Sequence, residues 1–161
     1  MQGFLGRILT INLIGTTVVF YVAARIYLVP KLPELNPRRA LLPILLLHSL
    51  RHLGLMFLTT GATYSGMPHE FSYPAAIGDL VTSLLAFACI PAVISGSKSA
   101  RAMVWAFNVF GTLDLLVAIT LATVYHAPDY MGAAYWIPAF WVPALLVTHY
   151  LTFLILRRPW E

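Results

Sequence analysis

The sequence of 161 residues contains a single cysteine, Cys89. One cysteine cannot form an internal disulfide, a CxxC redox pair or a cysteine-built metal site. Cys89 lies in an apolar segment, where a thiol typically serves core packing. Charged residues are also scarce, since Asp, Glu, Lys and Arg make up only 10% of the chain. A soluble domain usually carries about 25%, so the composition argues against a soluble globular protein.

Several chemical signatures are missing from the sequence. It contains no GxSxG elbow, no phosphate-binding P-loop and no dinucleotide fingerprint. The formal net charge is +4, but the basic residues do not form a stripe interleaved with aromatic residues. They lie instead at the ends of apolar runs, where lipid headgroups and membrane orientation account for them. We therefore expect no nucleic acid partner and no catalysis by a nucleophilic side chain.

What the sequence does contain is long apolar runs. Hydrophobic residues make up 60% of the chain and the mean hydropathy is +0.80. A helix needs roughly 20 mostly apolar residues to cross a bilayer, and helices satisfy their own backbone groups there. The sequence therefore predicts an all-α integral membrane bundle of five transmembrane helices in one domain, residues 1–161. The predicted spans are 8–29, 40–59, 74–95, 101–125 and 135–156.

The cations indicate an orientation. In a chain with five spans, three basic clusters fall on the same side of the membrane, and the positive-inside rule assigns that side to the cytoplasm. The sequence thus predicts an outside N-terminus and a cytoplasmic C-terminus, in a membrane of the bacterial inner (plasma) type. The first span is expected to be retained, because it is long for a signal peptide core and no basic cluster precedes it. The clusters contain Lys31, Arg38, Arg39, Lys98, Arg101, Arg157 and Arg158.

Ionisable residues inside the predicted spans need a separate explanation. In the stretch LLLHSLRHLG, His48, Arg51 and His52 have the i, i+3, i+4 spacing of one helix face, which Leu55 continues at i+7. That face is expected to point into the bundle. With a rise of about 1.5 Å per residue, the polar residues fall at two depths. Arg51, His52 and Asp114 are expected near the middle of the bilayer, and His48, Asn108 and His149 nearer the cytoplasm.

Arg51 and Asp114 are predicted to form an ion pair. An unpaired charge at the centre of a membrane helix costs about 2.5 to 3.5 kcal/mol on insertion scales, and a carboxylate matches the guanidinium fork. Asp79, on the third span and nearer the outer face, is a rival acceptor. The sequence does not decide whether such a pair only fixes helix packing or lines a cavity that a ligand or a proton reaches.

The leading hypothesis is a membrane protein whose polar pocket binds or transports a small or lipophilic ligand, with proton coupling as a further option. Its partners would be the lipid bilayer and this ligand. Five helices enclose little space, so a homo-oligomer or a larger membrane complex is expected. The residues assigned to the pocket are Arg51, Asp114, His48, His52, His149 and Asn108.

A haem-binding subunit is an alternative. His48 and His149 are predicted at similar depth on antiparallel helices, where they could be the axial ligands of a b-type haem used in electron transfer. Cations near the cytoplasmic ends would suit the propionates. A non-haem metal site at His48 and His52 is not expected, because Arg51 lies between them and no acidic cluster surrounds them. The nearby cations are Arg25, Arg39 and Arg101.

Three further alternatives remain open, and the sequence does not decide whether the protein is an enzyme. His52 and Asp114 could act as an acid–base pair on a lipid-like substrate. The chain could instead be a structural subunit of a larger membrane complex. A site on the outer face is the third option, built from two predicted loops that contain His69, Glu70, His126 and Asp129.

Overall fold

A computed structural model of the protein describes residues 4–160, and it is helical apart from connecting turns and one isolated bridge between Thr60 and Thr63. The prediction of an all-α protein with five long helices is confirmed. Each of the five is long and apolar enough to cross a membrane. They are α1 (Phe4–Glu34), α2 (Pro37–Leu58), α3 (His69–Ser95), α4 (Ala100–Val124) and α5 (Gly132–Leu156).

The helix ends differ most from prediction in α1, which continues five residues past the predicted end. Its α-helical part ends at Ala23, a π-helical turn covers Ala24–Leu28, and a 3-10 segment covers Val29–Glu34. Pro30 lies in the first turn of that last segment. Pro33 lies inside the same segment, so the prolines that predict a loop in the sequence occur in a short 3-10 extension of the helix.

Helices α2 to α5 form the body of the protein, and α1 lies at its edge. Helix α3 packs against α2 and α4, and α5 packs against α4, α2 and α1. Most side chains of α1 are exposed, and Leu9, Ala24 and Leu32 are its buried residues. Most of the exposed side chains of α1 are apolar, among them Ile11, Val19 and Ile26.

A polar layer divides the interior of the bundle. On one side lies an apolar cluster that includes Leu41, Val104 and Ile155, and on the other lies a cluster that includes Phe57 and Leu115. Between them, along α2 to α5, run buried polar side chains. Buried polar groups need hydrogen-bond partners, so this layer is where the structure requires specific contacts. The main members of the layer are His48, Arg51, Asp79, Thr82, Asn108 and His149.

Arginines cover the ends of the three helices that terminate at one end of the bundle. Arg101 Nη2 donates to the carbonyl of Leu156 at 2.9 Å, at the end of α5. Arg158 donates to the carbonyl of Pro33 at 3.0 Å, near the end of α1. At the end of α3, the guanidinium of Arg38 lies against the left-handed Gly96, where a side chain would overlap it. Cations stabilise helix C-termini, where carbonyls lack partners.

Candidate functional site

Helix α2 changes its winding at the start of the site. From Leu50 to Leu58 it is a 3-10 helix, which has three residues per turn. Arg51, Gly54 and Phe57 therefore lie above one another, and all three are buried. A stretch of nine 3-10 residues is unusual, and such stretches often mark strained or functional segments.

The change of winding removes His52 from the site. His52 is exposed, as is Leu55, and its Nδ1 lies 3.0 Å from the carbonyl oxygen of Ser49. The prediction that His48, Arg51, His52 and Leu55 share one face is therefore wrong for the last two. The proposed acid–base pair of His52 and Asp114 is not formed either, since the structure brings Asp114 to Arg51 instead.

Arg51 is at the centre of the site and is 1% exposed. Its Nε donates to Asp79 Oδ1 at 2.7 Å, and its Nη2 donates to Asp114 Oδ2 at 2.5 Å. Its Nη1 donates to the carbonyl of Gly111 at 3.2 Å. The structure thus forms the predicted pair with Asp114 and also the rival pair with Asp79. Arg51 joins α2, α3 and α4 through one guanidinium group.

His149 connects this group to α5. Its Nε2 lies 3.3 Å from Arg51 Nη1, and its Nδ1 lies 2.7 Å from Asn108 Oδ1. Arginine can only donate, so His149 Nε2 must be the unprotonated nitrogen and Nδ1 must carry the proton. That proton is donated to the amide oxygen of Asn108. The Asn108 amide nitrogen in turn donates to the backbone carbonyl of His149 at 3.3 Å.

His48 is fully buried and packs on His149, with ring centroids 4.2 Å apart. Its Nε2 lies 2.9 Å from Thr148 Oγ1. The Thr148 hydroxyl donates to the carbonyl of Ala144 at 2.9 Å, so it accepts from His48 Nε2–H. His48 Nδ1 is then an unprotonated acceptor, and it has no hydrogen-bond partner among residues 4–160.

The two histidines do not fit the haem alternative. Two axial ligands must point their nitrogens at one iron, with the macrocycle between the rings. Here the rings of His48 and His149 are in contact, with centroids 4.2 Å apart. Both Nε2 atoms are also engaged, one with Thr148 and the other with Arg51. Among residues 4–160, no group of three His, Cys, Asp or Glu side chains is placed to hold a metal ion either.

Three helix glycines, which the sequence reasoning did not single out, make room for the site. A Cβ at Gly54 would overlap Asp79, one at Gly78 would overlap Asp114, and one at Gly111 would overlap His149. The sequence could have indicated them, because a single glycine inside a predicted helix often has a packing or functional reason.

The charges of the site do not balance. One guanidinium faces two carboxylates, and the formal sum for Arg51, Asp79 and Asp114 is −1. The Arg51 side chain is 0% exposed, whereas those of Asp79 and Asp114 are 12% and 11% exposed. Each carboxylate has one oxygen that makes no hydrogen bond to residues 4–160. The arrangement has the composition to hold one additional positive charge or one proton.

Three cavities lie outside this charged group. A cavity of about 410 Å³ lies between the 3-10 half of α2 and the start of α3, one of about 600 Å³ between α1 and α4, and one of about 300 Å³ between α1 and α5. None of the three is lined by Arg51, Asp79 or Asp114. The last includes Thr148, the hydrogen-bond partner of His48. This cavity is therefore separated from the buried layer by one side chain, Thr148.

The predicted outer-face residues do not form a common site. His69 lines the cavity of about 410 Å³, whereas His126 and Asp129 line the cavity of about 600 Å³. Glu70 is exposed. The two predicted loops do contact each other, since the Tyr64 N–H donates to the carbonyl of Tyr130 at 2.8 Å, but His69 lines a different cavity from His126 and Asp129.

The hydrogen bonds predict the tautomers of both buried histidines. With ¹⁵N-labelled histidine in detergent micelles, we expect the nitrogen shifts to show an Nδ1–H tautomer for His149 and an Nε2–H tautomer for His48. Asn108→Leu should remove the acceptor of His149 and lower the free energy of unfolding by about 1 to 3 kcal/mol. Signals from exposed His52 should be unchanged in Asn108→Leu. An Nε2–H signal for His149 in the unaltered protein would contradict the proposed bond to Arg51.

Comparison with known proteins gives one match. A family described as a domain of unknown function (DUF8737) matches residues 8–157. No curated protein and no solved structure matches the chain.

Proposed function

The chain belongs to the DUF8737 family, and we propose that it is an integral membrane protein whose charged interior takes up a proton and couples it to the binding or transport of a small or lipophilic ligand. The proposal includes five membrane crossings, an outside N-terminus and a cytoplasmic C-terminus in a bacterial-type plasma membrane. The supporting facts are the five apolar helices and the three basic clusters on one side of the chain's predicted spans.

The observation that carries the proposal is one buried arginine between two carboxylates on different helices. Charges inside a membrane bundle are costly and usually functional. If Arg51 served only to join helices, one carboxylate would balance it. A second carboxylate adds an uncompensated negative charge to a buried layer, and a bound proton is the simplest compensation.

A proton on either carboxyl would weaken its bond to Arg51. The guanidinium would then be held mainly by the other carboxylate and by the carbonyl of Gly111, at 3.2 Å. Because Asp79 is on α3 and Asp114 is on α4, the proton would change which helix Arg51 holds most strongly. An element with two discrete arrangements is what coupling between sites requires.

The ligand would reach the buried layer from the cavity between α1 and α5. Its lining is almost entirely apolar, with residues such as Phe20, Ala24 and Leu151, which favours a lipophilic molecule. A contiguous series of contacts leads inwards from Thr148 through His48 and His149 to Arg51. Because one copy encloses little space, transport would require several copies to associate.

Infrared spectroscopy of the protein in liposomes tests the proton. The chain has six Asp and Glu residues, and we expect the C=O band of one protonated carboxylic acid at neutral pH. Either Asp79→Asn or Asp114→Asn should remove the band, because Arg51 balances the single carboxylate that remains. The matched variants Glu70→Gln and Asp129→Asn should retain it.

Proton movement is measured in the same vesicles with an enclosed pH-sensitive dye. We expect a potential-driven change of internal pH that Asp79→Asn abolishes and Glu70→Gln leaves intact. If the protonated-acid band is absent from the unaltered protein, or survives in both Asp79→Asn and Asp114→Asn, the proposed proton site is wrong.

A further inference from the structure

The largest of the three cavities described above is a groove between α1 and α4. It has a volume of about 600 Å³ and is closed on one side by a short turn at residues 127–130. Volumes of this size are typical of sites for small organic ligands. The floor of the groove is apolar and includes Leu9, Leu13, Ile14, Ile119 and Ala122.

The lining of the groove also contains two opposite charges. Arg7 contributes a cation from α1, and Asp129 contributes a carboxylate from the short turn. Neither side chain forms an ion pair or a hydrogen bond with any of residues 4–160. His126, which precedes the turn, has a left-handed backbone with φ of 53°, which residues other than glycine rarely adopt. Backbone conformations of this kind are maintained by their surroundings and cluster at ligand sites.

The combination of an apolar groove with a separated cation and anion matches one class of membrane molecule. A phospholipid with a primary ammonium would place its phosphate at Arg7 and its ammonium at Asp129. Guanidinium groups bind phosphate well, and a primary ammonium offers N–H donors to a carboxylate. A purely anionic headgroup would be repelled by Asp129, and a quaternary ammonium has no N–H to donate.

We propose that the groove between α1 and α4 binds one zwitterionic phospholipid that carries a primary ammonium, of the phosphatidylethanolamine type. An acyl chain covers Leu9, Leu13 and Ile119, and the headgroup lies between Arg7 and Asp129. This inference rests on the membrane location in the proposed function but not on the proton site at Arg51. The lipid also holds α1 to the body of the bundle at a place where α1 and α4 are separated by the groove.

Native mass spectrometry tests the inference on delipidated protein in nonionic detergent. Phosphatidylethanolamine, phosphatidylcholine and phosphatidylglycerol with identical acyl chains are added separately. We expect the ethanolamine lipid to bind about tenfold more tightly than either of the others, as the loss of one hydrogen bond to a charged group predicts.

Single substitutions then assign the headgroup contacts. Asp129→Asn should abolish the preference for phosphatidylethanolamine over phosphatidylcholine, and Arg7→Gln should weaken both by about tenfold. Glu70→Gln, which changes an exposed carboxylate outside the groove, is the matched control and should bind as the unaltered protein does. The selectivity of the unaltered protein is decisive even if a variant fails to fold.

The outcomes separate this inference from the proposed function. Equal binding of the three lipids, or tighter binding of phosphatidylglycerol, would overturn the lipid site. Asp79→Asn and Asp114→Asn should retain the lipid preference while they lose the infrared band. Lipid selectivity without the band contradicts only the proton site, and the band without selectivity contradicts only the lipid site.

Discussion

Arg51→Leu is expected to lower the free energy of unfolding by about 3 to 5 kcal/mol, which is the usual cost of removing one partner from a buried ion pair. The substitution leaves Asp79 and Asp114 in the buried layer without their cation. It also removes the donors to Gly111 and His149. The measurement is the midpoint of thermal unfolding in detergent micelles. His52→Leu is the matched control, because His52 is on the same 3-10 segment but exposed, and it should change stability by less than about 0.5 kcal/mol.

Two companion variants separate the structural role of Arg51 from its charge. Arg51→Lys keeps the charge but not the fork that contacts two carboxylates at once, so its stability should lie between those of the unaltered protein and Arg51→Leu. Joint replacement of Arg51, Asp79 and Asp114 by Met, Leu and Leu should restore stability, because an apolar substitute for a buried ion group is often neutral or stabilising. It should also abolish proton movement. Full proton movement in this triple variant would show that the charged group only joins helices.

The second large effect is expected from Gly78→Ala and Gly111→Ala, each of which should destabilise the protein. Each new Cβ overlaps a side chain of the site, Asp114 in one case and His149 in the other. Overpacking of this kind costs about 1 to 3 kcal/mol, and we expect the lower unfolding temperature to be accompanied by loss of proton movement. Gly15→Ala is the control. A Cβ at Gly15 has nothing within 4 Å, so alanine should stabilise the helix by about 0.5 to 1 kcal/mol.

A double-mutant cycle identifies the overlap as the cause. If Gly78→Ala destabilises by displacing Asp114, then adding Asp114→Ala removes the overlapping side chain. The double variant should lose less free energy of unfolding than the two single variants lose together. The difference should be about 0.5 to 3 kcal/mol, as is usual for residues in contact. Simple additivity would mean that the cost of Gly78→Ala arises elsewhere.

The sequence was sufficient to predict the five long helices and the ion pair between Arg51 and Asp114. Runs of apolar residues determine where long helices form, and the cost of an unpaired charge makes a contact between Arg51 and an aspartate predictable. Four of the six predicted pocket residues, His48, Arg51, Asn108 and His149, lie in the buried layer, and Asp114 is partly buried beside it in contact with Arg51.

The remaining features depend on helix neighbours and winding, which hydropathy does not encode. The exclusion of His52 follows from the 3-10 geometry after Ser49, where eclipsed residues are three apart. Arg51 contacts both Asp79 and Asp114 because α3 lies between α2 and α4, which spacing along a single helix cannot reveal. The need for glycine at positions 54, 78 and 111 also depends on which helices are neighbours, so it could not be predicted from hydropathy.

The arginines at the helix ends have a consequence for engineering the orientation of the protein. Arg38, Arg101 and Arg158 belong to the basic clusters that indicate insertion with those ends inward, and the same guanidinium groups contact the ends of α3, α5 and α1. A designer who moves these charges to invert the protein would also remove the donors to carbonyls at the ends of α1 and α5, and the guanidinium that lies beside Gly96 at the end of α3. The side chains that predict the insertion direction therefore also contact helix ends, and an inverted variant would need new caps as well as relocated charges.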